Sequence, residues 1–434
     1  MKKILVVFDA HSYGGGELLF MRVCNYFLKM GYEVSVYGKE VENFFNKYGD
    51  NSIKKNIIYD LNNKKFDYII ISVIGINNIK LLGELKVESD KCIIWAFGES
   101  GFLENIFFGY GLRYRFSLNT GIIYAKFYKV FFFNRYRVAL EFVEYLLKNK
   151  SLYFSQVDGI TAAKDSEDYY FKELDLIIPI PIPILDDSKK INKKVIENNT
   201  LTIGWLGRVT FDFKVYSLIK AIEDSIQYTL DNNIRLVFII IGDGDGLKYL
   251  IEYFKYRPVT LDVKGFMPTD IALKYLYENA ELMIGMGTAA LDAASQRLPS
   301  IVINASKSLK ASRSCAYRWL HESIGYSLGE FVGFRNSRIQ KNNSLKYLIN
   351  DYLINRDDIL DKTKNYLIHF SMPVVFNVLH NSLRSSNLTF YNLMDSYDIV
   401  YQKNIKIKNI SNVVRRLFKK YIVLLMHTFK LIGK

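Results

Sequence analysis

Two cations stand at the end of an apolar run in "GWLGRVTFDFKVYSLIKAI": Arg208 directly after Gly207, and Lys214 where a helical pattern begins. A guanidinium offers a planar fork and an ammonium a point charge, and together at the carboxyl end of a strand they suit a diphosphate. A second candidate is "IGMGTAALDAASQRLPS", which turns through Gly287 into a helix of small residues. Thr288 is the expected N-cap, with the first-turn amides, including that of Ala289, facing outward toward a phosphate or sugar oxygen. Asp292 follows one helical turn later, where a carboxylate can accept hydrogen bonds from vicinal sugar hydroxyls. A third is "HSYGGGELLF", where Gly14, Gly15 and Gly16 precede Glu17 and a helix. The run does not fit the G-x-G-x-x-G dinucleotide fingerprint, but three glycines let a backbone approach a ligand closely. The fourth, "IIIGDGDGL", places Gly242 and Asp243 after an apolar strand. An Asp-x-Asp pair could hold a cation; without an evident third oxygen ligand, a glycine-rich turn is the better reading.

The elements that must carry these residues alternate strand and helix. "KILVVFD", "YEVSVYG", "FDYIIISV" and "KCIIWAFG" read as buried strands with helices between them, as in a parallel sheet covered on both faces. "DLIIPIPIPILDDSKK" alternates Pro179, Pro181 and Pro183 and cannot be a regular helix, so it reads as a stiff extended linker. The alternation then restarts with "LTIGWLG", "IRLVFIIIGDG", "VTLDVKGF" and "ELMIGMG". The expected fold class is therefore α/β, with two similar parallel-sheet domains. An amphipathic helix is expected over 385–402.

The chain of 434 residues is half hydrophobic and long enough for two or three cores. Its three cysteines are scattered and suggest neither a disulfide framework nor a metal site. The apolar run in "MKKILVVFDAHS" is too short for a signal peptide, and no segment reaches the length of a membrane span, so a cytoplasmic protein is expected. The net charge of +14 is local. Residues 101–155 hold eight Lys/Arg against three Asp/Glu and interleave them with 17 aromatics, and residues 403–434 hold nine Lys/Arg and no acid. Aromatics mixed with basic residues suit an anionic membrane surface. Nucleic-acid binding would leave the glycine-rich strand–helix turns of both halves unexplained.

Taken in order, these motifs resemble the retaining GT-B glycosyltransferases of glycosyltransferase family 4, over about residues 1–402. "GGGE" resembles the family's N-terminal glycine loop, and "IIPIPI" its interdomain linker. Arg208 and Lys214 match its diphosphate-binding pair, "IIGDGDG" its Gly-Asp-Gly turn, and "VKGF", with Gly265 and Phe266, its strand beside the donor base. "IGMGTAALDAASQRLPSIV" matches its Glu-x7-Glu segment: Asp292 takes the place of the ribose-holding second Glu, and Ile284 that of the first, which normally touches the transferred sugar. Glu99, in "WAFGES", falls where an acceptor contact or acid/base group is expected.

The resemblance implies two Rossmann-like domains around a cleft: an acceptor-side domain over 1–183 carrying the 101–155 insertion, and a nucleotide-sugar domain over 184–375. Residues 376–402 would return to the first domain; the tail 403–434, beyond the resemblance, reads from its own pattern as a basic amphipathic helix. The resemblance further implies a metal-independent transfer, without a cofactor, from a UDP- or GDP-sugar. Arg208, Lys214, Asp292 and Glu99 would stand at the chemistry. Gly15, Gly16, Gly207, Gly242, Asp243, Gly265, Phe266, Gly287, Thr288 and Ala289 would line the donor, and Gly14 and Glu17 the acceptor side. The expected acceptor is a glycan, lipid-linked, in capsule or lipopolysaccharide synthesis at the inner face of a bacterial membrane. A nucleotide-sugar 2-epimerase and a non-catalytic partner subunit of the same fold are the alternatives.

Overall fold

The first strand, β1 (Lys3–Val7), sends Leu5 and Val7 to one face of its sheet and Ile4 and Val6 to the other, all fully buried. A strand apolar on both faces needs cover on both, and it gets it in a computed structural model that describes residues 1–10, 14–49, 55–97, 133–156, 176–183, 199–332 and 340–398. After β1 come α1 (Gly15–Lys29), β2 (Glu33–Tyr37), α2 (Val41–Tyr48), β3 (Ile57–Ile58), β4 (Lys65–Phe66) and β5 (Tyr68–Ser72). These are followed by α3 (Ile79–Glu84), β6 (Glu88–Ser89), β7 (Cys92–Ala96), α4 (Phe133–Lys148) and β8 (Leu152–Phe154). The sheet order is β3-β2-β1-β5-β7-β8, parallel throughout, while β4 and β6 form a separate short pair.

The second half repeats the plan. β9 (Thr200–Leu206), α5 (Val215–Asn232), β10 (Arg235–Ile241), α6 (Leu247–Phe254), β11 (Thr260–Gly265) and α7 (Thr269–Asn279) lead to β12 (Leu282–Gly285). Then come α8 (Thr288–Ser295), β13 (Ser300–Ile303), β14 (Tyr317–Trp319) and the long α9 (Leu345–Leu367). The order is β11-β10-β9-β12-β13-β14, with β14 alone antiparallel. Both halves are thus Rossmann-like and wound in the same order, the architecture the resemblance implies. At the middle of β9, a Cβ on Gly204 would lie 2.7 Å from Leu276, so the missing side chain lets α7 lie close against the sheet.

The proline-alternating segment is extended as expected, but it is packed rather than a free linker. Ile178, Ile180 and Ile182 are buried in the core of the first half, and the Trp95 indole donates to the Ile178 carbonyl at 3.1 Å. By Leu367 and Phe370 the chain is back in that same core, and Ile182 pairs with Ser371. Helix α10 (Met372–Ser385) then covers the first sheet through Val375, Phe376, Leu379 and Leu383.

The helix expected over 385–402 is corrected: α10 ends at Ser385 and helix resumes over 390–398, with 399–402 outside the described residues. The break has a physical cause. Cys92 N donates to Leu388 O at 2.8 Å and Ser386 Oγ donates to Cys92 O at 2.7 Å, so this stretch is spent on bonds to the start of β7. All three cysteines are free and buried. Among the described residues, no helix is long and apolar enough to cross a membrane.

Candidate functional site

Three strands of the second sheet end in glycines that lock together. Gly207 N donates to Ile241 O at 2.9 Å, and Gly242 N donates to Gly265 O at 2.8 Å. Gly207 and Gly242 have φ of +139° and +147°, and a Cβ on Gly242 would lie 2.0 Å from the Gly207 carbonyl oxygen. Glycine is therefore required there by close approach of backbone to backbone. Asp243 Oδ1 accepts from Gly244 N at 2.7 Å, and Asp245 Oδ1 accepts from Phe211 N at 3.2 Å. Both carboxylates hold the turn, and among the described residues no three His, Cys, Asp or Glu side chains gather as a metal site would require.

This turn fixes the loop that carries the two cations. Arg208 is exposed, and half-buried Lys214 opens α5 with its Nζ 3.3 Å from where a Cβ on Gly207 would stand. Burial first, and then the neighbouring Arg208 charge, push the Lys214 ammonium down to about 8, with Asp212 opposing. An ammonium so placed gains from any anion that approaches the strand ends.

Helix α8 begins one residue earlier in character than the sequence suggests. Gly287, at φ +65°, is the N-cap, and Thr288 is the first helical residue, with no side-chain cap. Gly287 N donates instead to Leu328 O at 2.7 Å, from a loop fixed by a buried network. In that network Glu330 accepts from Arg318 at 2.8 and 3.1 Å, from Asn304 at 2.6 Å and from Ser327 at 2.9 Å. From the first half, a Cβ on Gly15 would lie 2.5 Å from Thr288 Oγ1, so the N-terminal glycine run abuts the start of α8. Gly14 caps α1 and lies under the Glu17 carboxylate, which would stand 2.8 Å from a Cβ there. A Cβ on Gly16 would meet open space. Ala289 is half-buried beside this contact.

One turn along α8, Asp292 is 3% exposed. Its two oxygens accept from Nη2 of Arg22 on α1, at 2.8 and 3.0 Å, and Arg22 Nη1 donates to Pro181 O at 3.0 Å. Burial pushes the Asp292 carboxyl up, and Arg22 opposes the shift. The sequence reading did not include Arg22. Its partner lies 270 positions away, and nothing in the helical pattern of α1 marks one basic residue as different from another. The pair lines a cleft of about 660 Å³ together with Tyr48, Phe266, Thr269 and Gln296. Phe266 is exposed at the end of β11, and the Tyr48 ring stands 6.5 Å from it across the domains.

The candidate residues thus fall into two adjoining groups. Arg208, Lys214 and the glycines 207, 242 and 265 cluster at the strand ends, while Thr288, Asp292 and Phe266 face the first domain, Thr288 against Gly15. Ile284 is not with either group. It is fully buried in β12 beside Ile301 and forms part of the core. Glu99, the segment 101–132 and the tail 403–434 lie outside the described residues.

The chain is similar in structure to the lipopolysaccharide outer core galactosyltransferase WaaB in its apo form. That match has 13% identity over 89% of this chain and 99% of the other, with a TM-score of 0.49. It is also similar to a glycosyltransferase from Rickettsia africae, at 14% identity, 88% and 98% coverage and a TM-score of 0.48. A third is AviGT4, a glycosyltransferase involved in avilamycin A biosynthesis, at 10% identity, 88% and 97% coverage and a TM-score of 0.43. No family model matches the chain, and no curated protein does.

Proposed function

We propose that the protein is a glycosyltransferase that moves a hexosyl group from a nucleotide sugar to a glycan acceptor, with retention and without a metal. The observation that carries this is the Arg208–Lys214 pair at the carboxyl end of β9. A half-buried ammonium beside a guanidinium, at the point where an open α/β sheet binds ligands, supports a diphosphate site. As the glycosidic bond to the diphosphate breaks, negative charge builds on the leaving oxygens, and two fixed cations stabilise it there. The nucleoside would extend past Gly265 and Phe266 into the cleft, with its ribose hydroxyls on Asp292. The acceptor would enter from the first domain along Gly14–Glu17, with Glu99 beside it. A lipid-linked acceptor at the inner face of the membrane, in capsule or lipopolysaccharide synthesis, fits the basic and aromatic composition of 101–155 and 403–434.

A panel of nucleotide sugars read by thermal shift tests the reading. One UDP- or GDP-sugar should raise the melting temperature, and the same shift should be lost in Arg208→Ala. If no nucleotide sugar stabilises the protein, the reading fails. One observation favours a second reading, a non-catalytic partner subunit: the position matched to the family's sugar-contacting Glu is Ile284, sealed in the core. Donor binding without hydrolysis or transfer to any acceptor would decide for it.

A further inference from the structure

Asp292 lies within a helix, nearly sealed from solvent, and the charged group that it touches comes from the other domain. Arg22 reaches it from α1 with a side chain itself 10% exposed, and is held in turn by the Pro181 carbonyl. One Nη2 spans both carboxylate oxygens, which uses about two of a carboxylate's roughly four lone-pair sites. Since Asp292 also lines the cleft, the remaining sites have somewhere to point. Lys47 of α2 and Asp270 of α7 line the same cleft, but Arg22 is the charged side chain in contact.

We infer that Arg22 is a positioning residue: it fixes the Asp292 carboxylate across the domain boundary as a two-oxygen acceptor for the vicinal hydroxyls of a nucleoside's ribose. The inference rests on the donor reading above. A buried carboxyl without a cation beside it takes up a proton, and one of its oxygens then donates instead of accepting. Arg22 opposes that uptake from 2.8 Å, and its planar fork also ties the carboxylate to the extended segment at Pro181. A lysine can supply the charge but not both bonds in one plane.

The test is calorimetric titration with UDP and GDP between pH 6 and pH 9 on the full chain, for wild type, Arg22→Met, Arg22→Lys and Arg22→Met/Asp292→Asn. At pH 6, Arg22→Met should bind at least about tenfold more weakly than wild type, with the gap closing as the pH rises and Asp292 ionises. Lys214 titrates in every variant and cancels in that ratio. Arg22→Lys should recover part of the loss, and adding Asp292→Asn should abolish the pH-dependent part. Inorganic pyrophosphate, which has no ribose, should bind wild type and Arg22→Met alike.

A constant ratio of Arg22→Met to wild type across the pH range overturns the inference and leaves a purely structural contact. Infrared spectroscopy reads the same point without a donor. Arg22→Met should show a protonated-carboxyl stretch that wild type and the double variant lack. The absence of that band overturns the inference, whereas wild type failing to bind either nucleotide overturns the donor reading.

Discussion

Lys214 gives the site a pH signature. Its ammonium is held down at about 8, so between there and its ordinary range the unfolded chain binds more protons than the native one. The sign follows: native stability is penalised below about pH 8, and the penalty is relieved as the pH rises through the folded value toward the unfolded one. A bound diphosphate does the reverse, since it favours the charged amine. Nucleoside-diphosphate affinity should therefore fall as the pH is raised through about 8, and Lys214→Arg should flatten that dependence in calorimetry. Arg208→Ala should weaken the same binding at least about tenfold, in line with the loss of one charge-assisted bond, while leaving the melting temperature of the free protein unchanged. These two cations were legible because Arg208 directly follows a strand-ending glycine and Lys214, seven residues after that glycine, stands where a helical pattern begins. Arg22 was not, because its importance comes from a contact made only when two separate domains meet.

Elements carry a device that appears twice. Gly38, after β2, and Gly242, after β10, both have φ +147°. Their Cβ atoms would lie 1.7 Å from Phe8 O and 2.0 Å from Gly207 O, each a carbonyl in the loop after the first strand of its half. Either residue changed to alanine should cost about 1–3 kcal/mol in backbone strain, measured by urea denaturation. Only Gly242→Ala displaces the loop bearing Arg208 and Lys214, so only it should also weaken nucleotide binding in the remaining folded fraction. The loop behind α8 is fixed in a different way. Removing the Glu330 carboxylate as Glu330→Ala leaves Arg318 buried without its counter-charge, a loss of about 3–5 kcal/mol, and frees the carbonyl that holds Gly287. Strand–helix alternation made β1, β2, β5, β7 and β9 to β12 legible, while β3, β4, β6, β8, β13 and β14, each of two to four residues, went unread. The break after Ser385 was invisible because side-chain and backbone bonds to β7 outcompete a helical pattern that continues through it.

At the scale of the molecule, the two halves share apolar surface. Ala290, Leu291 and Ala294 of α8, with Leu320 and Leu328, belong to the same core cluster as Phe20, Val23 and Phe27 of α1. Wild type should therefore unfold in one calorimetric transition. Ala294→Glu, a charge pressed into that seam, should split it into two transitions of individually folded halves. One unsplit transition in that variant would mean that the seam contributes little. The two-domain plan was legible from the restart of the alternating pattern after the prolines. What they pack against was not, because an extended apolar segment reads alike whether it crosses solvent or lines a core.

The chain leaves the first domain beside Ile182 and returns beside Ser371, and these two crossings pair with each other. They form one paired link between the halves, and Arg22, bonded to Pro181, sits next to it. Gly15 and Thr288 abut at the starts of the same two helices, α1 and α8, that carry Arg22 and Asp292. Any rotation of one half about that link would have to part the α1–α8 seam together with the ion pair, so the contacts that align the cleft are the ones that keep it closed.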